Sequence, residues 1–280
     1  MRAEPVPEGH PLGVYEAAVA GEGAPRTTLR GLIDSGRSTV GGWCCIPGAF
    51  SAEVLAAAGC DWICIDSQHG LIGYETMTAM LQGLDARGVP TIVRVAWNEP
   101  SAIMKALDAG AQGVIVPMVN SAAEAVAATR ACRYPPLGFR SWGPVRAALG
   151  DTGYDPESAN RRTVCIVMVE TPEAVDAVDE IVEVQGVDGI LIGPYDLSLT
   201  TNLNVTTPGE KPKDVEQIAR VLAACDRVGI PAGITCLTAD DVRKRRKQGF
   251  RLLQLNSDLG FLSDAATTIV GDAKSDHPAG

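Results

Sequence analysis

The sequence predicts an α/β fold, the (β/α)8 or TIM barrel, preceded by a short N-terminal arm and helix. From residue 40 onward, eight short β-branched segments alternate with eight segments of helical periodicity. The strand segments are nearly continuous apolar runs, which indicates a parallel sheet covered by helices. A length of 280 residues suits one such barrel. A doubly wound sheet is the competing architecture, but no Gly-x-Gly-x-x-Gly motif follows any predicted strand.

The chain is predicted to divide into an arm, a barrel and a tail. Residues 1–27 are rich in Pro, Gly, Ala and Glu without periodicity, which is typical of a mobile segment. Residues 28–272 are expected to form the barrel domain, and a short helix follows Thr28. Residues 273–280 are expected to be a C-terminal tail.

Each element of the barrel follows from a local pattern. β-branched apolar runs predict strands near 41–46, 62–66, 91–95, 112–117, 164–169, 187–192, 230–235 and 251–255. Segments with helical spacing of apolar residues predict helices near 51–59, 74–87, 99–109, 121–132, 171–183, 214–228, 238–248 and 259–271. Two connections stay long, 133–162 and 198–213, and long ordered insertions on a barrel are commonly lids or subunit contacts.

The charge balance narrows the classes of partner. The chain has 24 Lys and Arg against 34 Asp and Glu, a net charge of −10, which argues against nucleic acid or an anionic membrane surface as a partner. No apolar run is long enough for a membrane span, and the first residues lack the apolar stretch of a secretory signal. A cytoplasmic protein that binds small molecules or copies of itself is expected.

The eight cysteines are predicted to be buried, reduced thiols. No Cys-x-x-Cys pair occurs, so the spacing fits neither a zinc ribbon nor a disulfide framework. Reactivity at Cys44 or Cys45 stays open, with nothing in the sequence to support it.

Charged residues concentrate where the predicted strands end. In barrel enzymes the catalytic groups lie at the carboxyl ends of the strands, so residues at these positions are the candidates. Four different strands contribute them here: Asp66 and His69, then Arg94, Glu170 and Asp196. We expect these side chains to meet at one mouth of the barrel.

Glu170 and Asp196 end adjacent strands, and two carboxylates with open positions suit Mg²⁺ or Mn²⁺. The alternative is that Glu170 lies in the first turn of a helix and that Asp196 is a turn or N-cap residue. Arg94 lies in an otherwise apolar strand and requires an anionic partner, either a substrate carboxylate or one of Asp66 and Glu170.

His69 is the only histidine away from the termini, because the others are His10 and His277. Any proton transfer that depends on histidine would therefore use it, and Asp66 could orient its ring. A loop histidine without a catalytic role is the alternative. None of the six lysines falls at a strand end, which disfavours a Schiff base and leaves a metal ion as the electrophile. The loops after the last two strands form no Gly-rich phosphate cradle, which favours a carboxylate substrate.

Several segments together resemble one enzyme family. They are Gly42-Trp43, Ile65-Asp66-Ser-Gln-His69-Gly, Ile92-Val-Arg94-Val-Ala-Trp97, Ala106-Leu-Asp108-Ala-Gly, Arg133-Tyr-Pro-Pro-x-Gly-x-Arg140, Val169-Glu170-Thr and Ile192-Gly-Pro-x-Asp196-Leu-Ser. In this order and spacing, over roughly residues 30–270, they resemble the class II metal-dependent 2-oxo acid aldolases of the HpcH/HpaI family. That family includes 4-hydroxy-2-oxoheptanedioate aldolase and macrophomate synthase.

The resemblance implies a set of roles. Glu170 and Asp196 would bind Mg²⁺, Mn²⁺ or Co²⁺, which chelates the oxygens of pyruvate or oxaloacetate. Arg94 would neutralise the enolate, and His69 with Asp66 would shuttle protons. Trp43, Gly193 and Pro194 would line the substrate pocket, and Asp108 would reach the site of a neighbouring subunit in a homo-oligomer, usually a hexamer in this family.

Two residues depart from the family pattern. Close aldolases have Glu directly before the catalytic histidine and Gln two residues before the metal-binding Glu, whereas this chain has Gln68 and Met168. Both changes are expected to alter substrate preference through pocket polarity.

The first interpretation of function is a carbon–carbon lyase that acts through a pyruvate enolate on a 2-oxo acid and an aldehyde, with oxaloacetate decarboxylation as a related activity. The alternatives are an acyl-CoA lyase or thioesterase of the citrate lyase β type, and a catalytically silent relative that binds a 2-oxo acid.

Overall fold

Eight parallel strands close into a barrel in chain order, and β8 pairs with β1 to complete it. The computed structural model describes residues 26–149, 151–203, 205–206 and 208–275. The strands are β1 Thr39–Cys44, β2 Trp62–Asp66, β3 Thr91–Arg94, β4 Gly113–Val116, β5 Val164–Val169, β6 Gly189–Ile192, β7 Ala232–Cys236 and β8 Leu252–Leu255. The predicted (β/α)8 barrel is confirmed, and the first strand begins two residues earlier than its predicted start at 41.

Most of the described helices pack on the outside of the barrel. They are α1 Leu29–Asp34, α2 Ala49–Ala57, α3 Tyr74–Ala86, α4 Pro100–Asp108, α5 Ala122–Cys132, α6 Pro156–Arg162, α7 Pro172–Asp176, α8 Val178–Ile181, α9 Pro194–Asn202, α10 Pro212–Val228, α11 Ala239–Gln248 and α12 Asp258–Ser275. The short helix predicted after Thr28 is α1, and the Thr28 side chain accepts a hydrogen bond from the Gly31 amide to cap it.

Three helix predictions require correction. The insertion 133–162 contains α6, which begins with a capping box at Asp155. The connection after β6 forms α9 almost at once, because Pro194 occupies its first turn and needs no amide partner there. The helix predicted over 171–183 is two short helices, α7 and α8, because Ala177 leaves the helical conformation with φ −89° and ψ 2°.

Large side chains fill the lower part of the barrel interior. Trp62 points inward from β2 and lies over Gly41 of β1, where any Cβ atom would overlap the indole ring. The Trp62 indole N–H donates to the Thr39 hydroxyl at 3.0 Å. Apolar side chains continue the packing above it, among them Ile92, Ile115, Ile166, Leu191 and Leu252. The barrel is therefore a packed core, and the space for chemistry lies at its carboxyl end.

A buried carboxylate fixes the position of α9 on the barrel. Asp214, at the start of α10, accepts hydrogen bonds from Ser198 Oγ at 2.7 Å and from Asn202 Nδ2 at 2.6 Å. Both donors belong to α9, and Ser198 Oγ also accepts from the Gly209 amide at 2.9 Å. Thr201 Oγ1 of α9 also donates to Gln217 Oε1 of α10 at 3.0 Å, so three side-chain hydrogen bonds tie the helix that carries Asp196 to the next helix.

The last helix leaves the barrel after its first residue. Asp258 is buried, and its carboxylate accepts from the amides of Cys45, at 2.7 Å, and of Ile46. Every later residue of α12 is exposed or nearly so, including Leu259, Leu262 and Ile269. An 18-residue helix with apolar side chains on its surface therefore has almost no partner within the described part of its own chain.

The outer segments of the predicted domain plan lie only partly within the described residues. Most of the predicted arm, residues 1–25, lies outside the described residues, as do 276–280 of the predicted tail. Residues 273–275 belong to α12. Among the described helices, none is both long enough and apolar enough to cross a membrane.

Candidate active site

A pocket of about 410 Å³ opens at the carboxyl ends of the strands. Predicted site residues from five strands or the segments that follow them, β1, β2, β3, β5 and β6, reach this pocket together. They do so because the parallel strands of a barrel end on the same face. Its walls are formed by Trp43, Cys45, Asp66, His69, Arg94, Met168, Glu170, Gly193, Pro194, Tyr195, Asp196, Thr235, Leu237, Gln254, Asn256 and Ser257. The structure thus brings together all the predicted site residues except Gln68 and Asp108.

Arg94 and Asp66 form a buried ion pair on the β2–β3 side. The register of the two strands places them side by side, and Arg94 donates from Nε at 2.9 Å and from Nη2 at 2.6 Å to the two carboxylate oxygens. Trp43 Nε1 donates to the same carboxylate at 3.2 Å. Burial alone would raise the pKa of Asp66, but the bonds and charge of Arg94, with Trp43, outweigh it and lower that pKa below its ordinary value.

This pairing answers the question that the sequence left open for Arg94. Its protein partner is Asp66, and the guanidinium also lies over the Trp43 ring at 4.9 Å. Within the described residues, the remaining nitrogen, Nη1, has only the Met168 sulfur as a hydrogen-bond partner, at 4.0 Å. Arg94 therefore keeps one edge for an anion in the pocket.

No hydrogen bond joins Asp66 to the His69 ring within the described residues, so a role of Asp66 in orienting that ring stays a prediction. Asp66 accepts from the backbone amides of His69, at 3.3 Å, and of Gln68, at 3.0 Å, while its remaining capacity is used by Arg94 and Trp43. The carboxylate therefore shapes the loop that carries His69, and the His69 side chain is exposed at the pocket rim. Gln68 is not among the described residues that line the pocket, and its buried Oε1 has no hydrogen-bond partner among them.

Glu170 follows β5 and is only 2% exposed. Its Oε1 accepts from the Met118 amide at 2.7 Å. Met118 adopts a positive φ of 54°, which costs conformational energy for a residue other than glycine, and this turns its N–H toward the carboxylate. Burial raises the pKa of Glu170 to about 7, and the nearby charge of Asp196 adds to the rise.

Asp196 reaches the pocket from the first turn of α9, next to Glu170. Gly193 lies between the β6 strand and α9, and a Cβ atom there would collide with Glu170 Oε2. Glycine therefore makes room for the Glu170 carboxylate, and Pro194 fixes the first turn of the helix behind it.

The donor set fits a hard divalent cation. Glu170 and Asp196 are adjacent carboxylates, and the Arg94 charge near them is already paired with Asp66. No cluster of three or more His, Cys, Asp or Glu side chains with metal-binding geometry occurs within the described residues, so water and substrate oxygens would supply the other ligands. Such incomplete carboxylate sites are typical of Mg²⁺ and Mn²⁺.

Asp108 lies outside the pocket of its own chain. It ends α4, and Arg140 Nη2 donates to its carboxylate at 2.6 Å. Its predicted role at a neighbouring subunit stays a prediction.

Several pocket residues were not predicted from the sequence. Cys45 lines the wall with its thiol 3.8 Å from Asp66 Oδ2, and burial followed by the Asp66 charge raises its pKa to about 12. It is therefore an unreactive thiol at neutral pH. Thr235 and Gln254 point inward from β7 and β8. A single glutamine within the apolar run Leu252-Leu253-Gln254-Leu255 was the signal that could have indicated the second of these.

The model of the HpcH/HpaI aldolase/citrate lyase family matches residues 43–265, which include every pocket residue named above. The chain belongs to the HpcH/HpaI family. The resemblance noted in the sequence is confirmed, and the enzyme is of the aldolase, or carbon–carbon lyase, type.

Curated relatives of this HpcH/HpaI protein are aldolases. A hydroxypyruvate/pyruvate aldolase of Rhizorhabdus wittichii is 38% identical over 248 residues, which cover 88% of this chain and 98% of the relative. A 4-hydroxy-2-oxo-heptane-1,7-dioate aldolase of Escherichia coli is 31% identical over 245 residues, or 86% of this chain and 93% of that one.

A solved structure agrees with this assignment. The HpcH/HpaI aldolase/citrate lyase family protein of Burkholderia cenocepacia matches with a TM-score of 0.81 and 32% identity, covering 87% of this chain and 97% of the other. These findings favour the aldolase interpretation over the acyl-CoA and silent alternatives for this HpcH/HpaI protein.

Proposed function

We propose that this protein is a divalent-metal-dependent aldolase that cleaves or forms the bond between pyruvate and an aldehyde through a pyruvate enolate. The observation that carries the proposal is one pocket with an arginine edge on one side and a carboxylate pair on the other. Arg94 Nη1 has no oxygen partner in the described chain, and Glu170 with Asp196 lies near it. A 2-oxo acid combines the groups that such a pocket would bind.

Glu170 and Asp196 would hold the metal ion, which we propose to be Mg²⁺, Mn²⁺ or Co²⁺. When bound, such an ion supplies Lewis-acid stabilisation of negative charge on the oxygens of the substrate. The Met118 amide keeps Glu170 Oε1 occupied, which leaves Oε2 directed toward Gly193 and the pocket. Met118 therefore orients the carboxylate.

Arg94 would stabilise the charge that develops during the reaction. In cleavage, a base takes the proton of the C4 hydroxyl, the C3–C4 bond breaks, an aldehyde leaves, and the bonding electron pair forms the enolate. Return of the proton to C3 yields pyruvate. Because Asp66 holds Arg94 in place before substrate arrives, the free Nη1 edge is preorganised for this charge.

His69 is proposed as the group that moves the proton. Its side chain lies at the rim of the pocket, while the Asp66 carboxylate holds the backbone of its loop. No lysine is among the described residues that line the pocket, so carbonyl activation by a Schiff base has no candidate among them.

Met168 and Gln68 are proposed to shift substrate preference while the chemistry persists. Met168 lines the pocket beside Arg94 and makes that wall more apolar than a glutamine would. Gln68 directly precedes His69 in the same loop and is not among the described residues that line the pocket, so its effect would come through the backbone of that loop.

The test is exchange of the methyl protons of pyruvate in deuterated water, with and without chelator. It reports enolate formation without an aldehyde. We expect exchange that chelator abolishes and that His69→Ala slows by about 10²-fold or more, since general acid–base groups typically contribute that much. An exposed glutamate variant, Glu216→Gln, is the matched control and should exchange at the wild-type rate. Full exchange after exhaustive chelation would contradict the metal-dependent mechanism.

We also propose that the protein is a homo-oligomer, a hexamer by its resemblance to the family. Leu259, Leu262, Ala266 and Ile269 recur at intervals of three or four residues along α12, where they are exposed. A second apolar groove between β1, α2 and the base of α12 includes Val54, which is also exposed. A second copy would cover both surfaces, which otherwise leave a large apolar area in water.

A further inference from the structure

The two halves of the pocket differ in charge. Every ionised group of the pocket wall belongs to β2, β3 or the β5 and β6 ends, namely Asp66, Arg94, Glu170 and Asp196, and His69 follows β2. The part of the described wall formed by Tyr195 of α9, by β7 and β8 and by the loops after these two strands carries no charged side chain. It consists of Tyr195, Thr235, Leu237, Gln254, Asn256 and Ser257.

Strand order separates these two halves in space. The barrel closes in the order β1 to β8, so β7 and β8 lie across the mouth from β3 and β4. The 2-oxo acid of the proposed function would occupy the arc from Arg94 on β3 to Glu170 and Asp196, which follow β5 and β6. The uncharged arc is the part of the wall that remains for the aldehyde.

Gln254 presents a hydrogen-bond acceptor to this arc. The residue is 5% exposed, and its Nε2 donates to the Asn256 carbonyl at 2.6 Å. That bond fixes the amide and leaves Oε1 without a partner among the described residues. An amide oxygen can only accept, so its partner in a ligand must be a donor.

Thr235 adds a second group that is able to pair. Its hydroxyl points inward from β7 and makes no hydrogen bond within the described chain. Strand pairing places Thr235 directly beside Gln254, so one ligand could contact both. Asn256 and Ser257 are less available, because their side-chain oxygens accept from the amides of Ser257 and Gly260 at the base of α12.

A carboxylate would be poorly bound at this position. Carboxylate oxygens only accept hydrogen bonds, and so does the Gln254 amide oxygen. The two groups would therefore face each other without a hydrogen bond. Among the described residues of the pocket wall, Arg94 alone carries a guanidinium; it lies on the opposite side, and it is paired with Asp66. A hydroxyl group, by contrast, donates to Gln254 Oε1 and pairs with Thr235 in either sense.

We infer that the β7–β8 wall, defined by Thr235 and Gln254, is the acceptor subsite and that it selects uncharged hydroxyaldehydes over aldehydes that carry a carboxylate. The inference rests on the proposed function and extends it to the class of the second substrate. Gln254 and Thr235 are then residues that determine specificity.

The test measures kcat/KM for aldol addition of pyruvate to glyceraldehyde, propanal and succinic semialdehyde. The wild type should prefer glyceraldehyde to succinic semialdehyde by at least about tenfold, as expected when buried polar groups reject a ligand that cannot pair with them. Gln254→Leu and Thr235→Val should each lower the ratio of glyceraldehyde to propanal. The comparison between variants cancels the different intrinsic reactivities of the aldehydes.

Two further variants sharpen the result. Gln254→Glu retains acceptor oxygens and adds a negative charge, so it should keep the hydroxyaldehyde preference and reject succinic semialdehyde more strongly. Gln248→Leu, on the exposed face of α11, removes an equivalent amide far from the pocket and should leave all ratios at the wild-type values.

Proton exchange into pyruvate, measured on the same samples, separates the two hypotheses. If exchange occurs and the wild type prefers succinic semialdehyde, the inference about the subsite is wrong and the proposed function stands. The same conclusion holds if exchange occurs and neither Gln254→Leu nor Thr235→Val changes the ratio, or if no aldehyde is accepted. If exchange does not occur, the proposed function itself fails, and this inference fails with it.

Discussion

Asp66 and Arg94 illustrate how one buried pair prepares a site for a third partner. Asp66 is fully buried and takes two of the guanidinium nitrogens, which leaves Nη1 as the group that the pocket can use. The charge of Arg94 is thereby balanced before substrate binds. Loss of the Asp66 charge would leave a nearly buried cation without compensation.

Asp66→Asn should lower the free energy of unfolding by about 3 kcal/mol, because breaking one side of a buried ion pair leaves the other unpaired. Denaturant unfolding monitored by circular dichroism measures the change. The matched control is Asp240→Asn, which breaks the exposed pair with Arg243 and should leave the midpoint unchanged. An unfolding midpoint for Asp66→Asn equal to that of the wild type would show that the pair contributes nothing net to stability.

Glu170 is the residue for which pH should matter most in the metal-free protein. Its pKa is about 7 in the folded chain, above its ordinary value of 4.5, chiefly because of burial. The folded state therefore takes up a proton at a higher pH than the unfolded state does. By linkage, this group makes the folded state more stable as pH falls from 8 toward 5.

In the presence of chelator, the stability of the wild type relative to Glu170→Gln should rise by up to about 3 kcal/mol as pH is lowered from 8 to 5. Urea unfolding at several pH values measures it. Glu216→Gln, an exposed glutamate on α10, should show the same pH dependence as the wild type. A constant difference between wild type and Glu170→Gln across this range would mean that Glu170 has an ordinary pKa.

The junction of β6 and α9 is the element on which the carboxylate pair depends. Gly193 ends the strand at a φ of −93°, so its backbone needs no special freedom. Its importance is steric, since a methyl group would occupy the space of Glu170 Oε2. Pro194 and the Asp214 anchor hold the helix close to this point.

Gly193→Ala should therefore displace Glu170 and weaken binding of Mn²⁺ by at least about tenfold, since groups that orient a metal ligand typically matter by 10–100-fold. Titration calorimetry or the electron spin resonance of free Mn²⁺ measures it. Gly48→Ala is a suitable control, because it also lies before a helix and its Cβ would meet nothing closer than 3.6 Å. Unaltered Mn²⁺ affinity in Gly193→Ala would contradict the assigned role of Glu170.

Regular elements were predictable because their patterns are local. The run Val164–Val169 is apolar and β-branched, and it forms β5 with the predicted bounds. α9 was not predicted, because it is short and mostly polar and depends on Pro194 and on the contact with Asp214. The end of each strand could be located well enough to nominate Glu170 and Arg94 for the site.

Partners within the site could not be predicted in the same way. The pairing of Asp66 with Arg94 depends on the register of β2 and β3. That register cannot be predicted from the sequence of either strand alone. Orientation of Glu170 by Met118 depends on one left-handed residue in a loop. Gln254 was overlooked because one polar residue in an apolar strand has meaning only when its inward direction is known.

For the whole molecule, the exposed α12 should decide assembly. We expect Leu262→Asp to shift the protein toward smaller species in sedimentation velocity, because a carboxylate would be buried at the proposed contact. Lys274→Asp, near the end of the same helix, is the charge-changing control at a polar position. A wild-type protein that sediments as a monomer at micromolar concentration would exclude the oligomer altogether.

Asp258 connects the last helix to the pocket wall. The same carboxylate begins α12 and holds the amides of Cys45 and Ile46, and Cys45 is in the pocket wall. A neighbouring subunit bound to α12 would hold Asp258 in place. Loss of that contact would let the pocket wall beside Asp66 move. Dilution should then lower the catalytic efficiency at concentrations where the chain is still folded. Specific activity would therefore report assembly as faithfully as a measurement of mass.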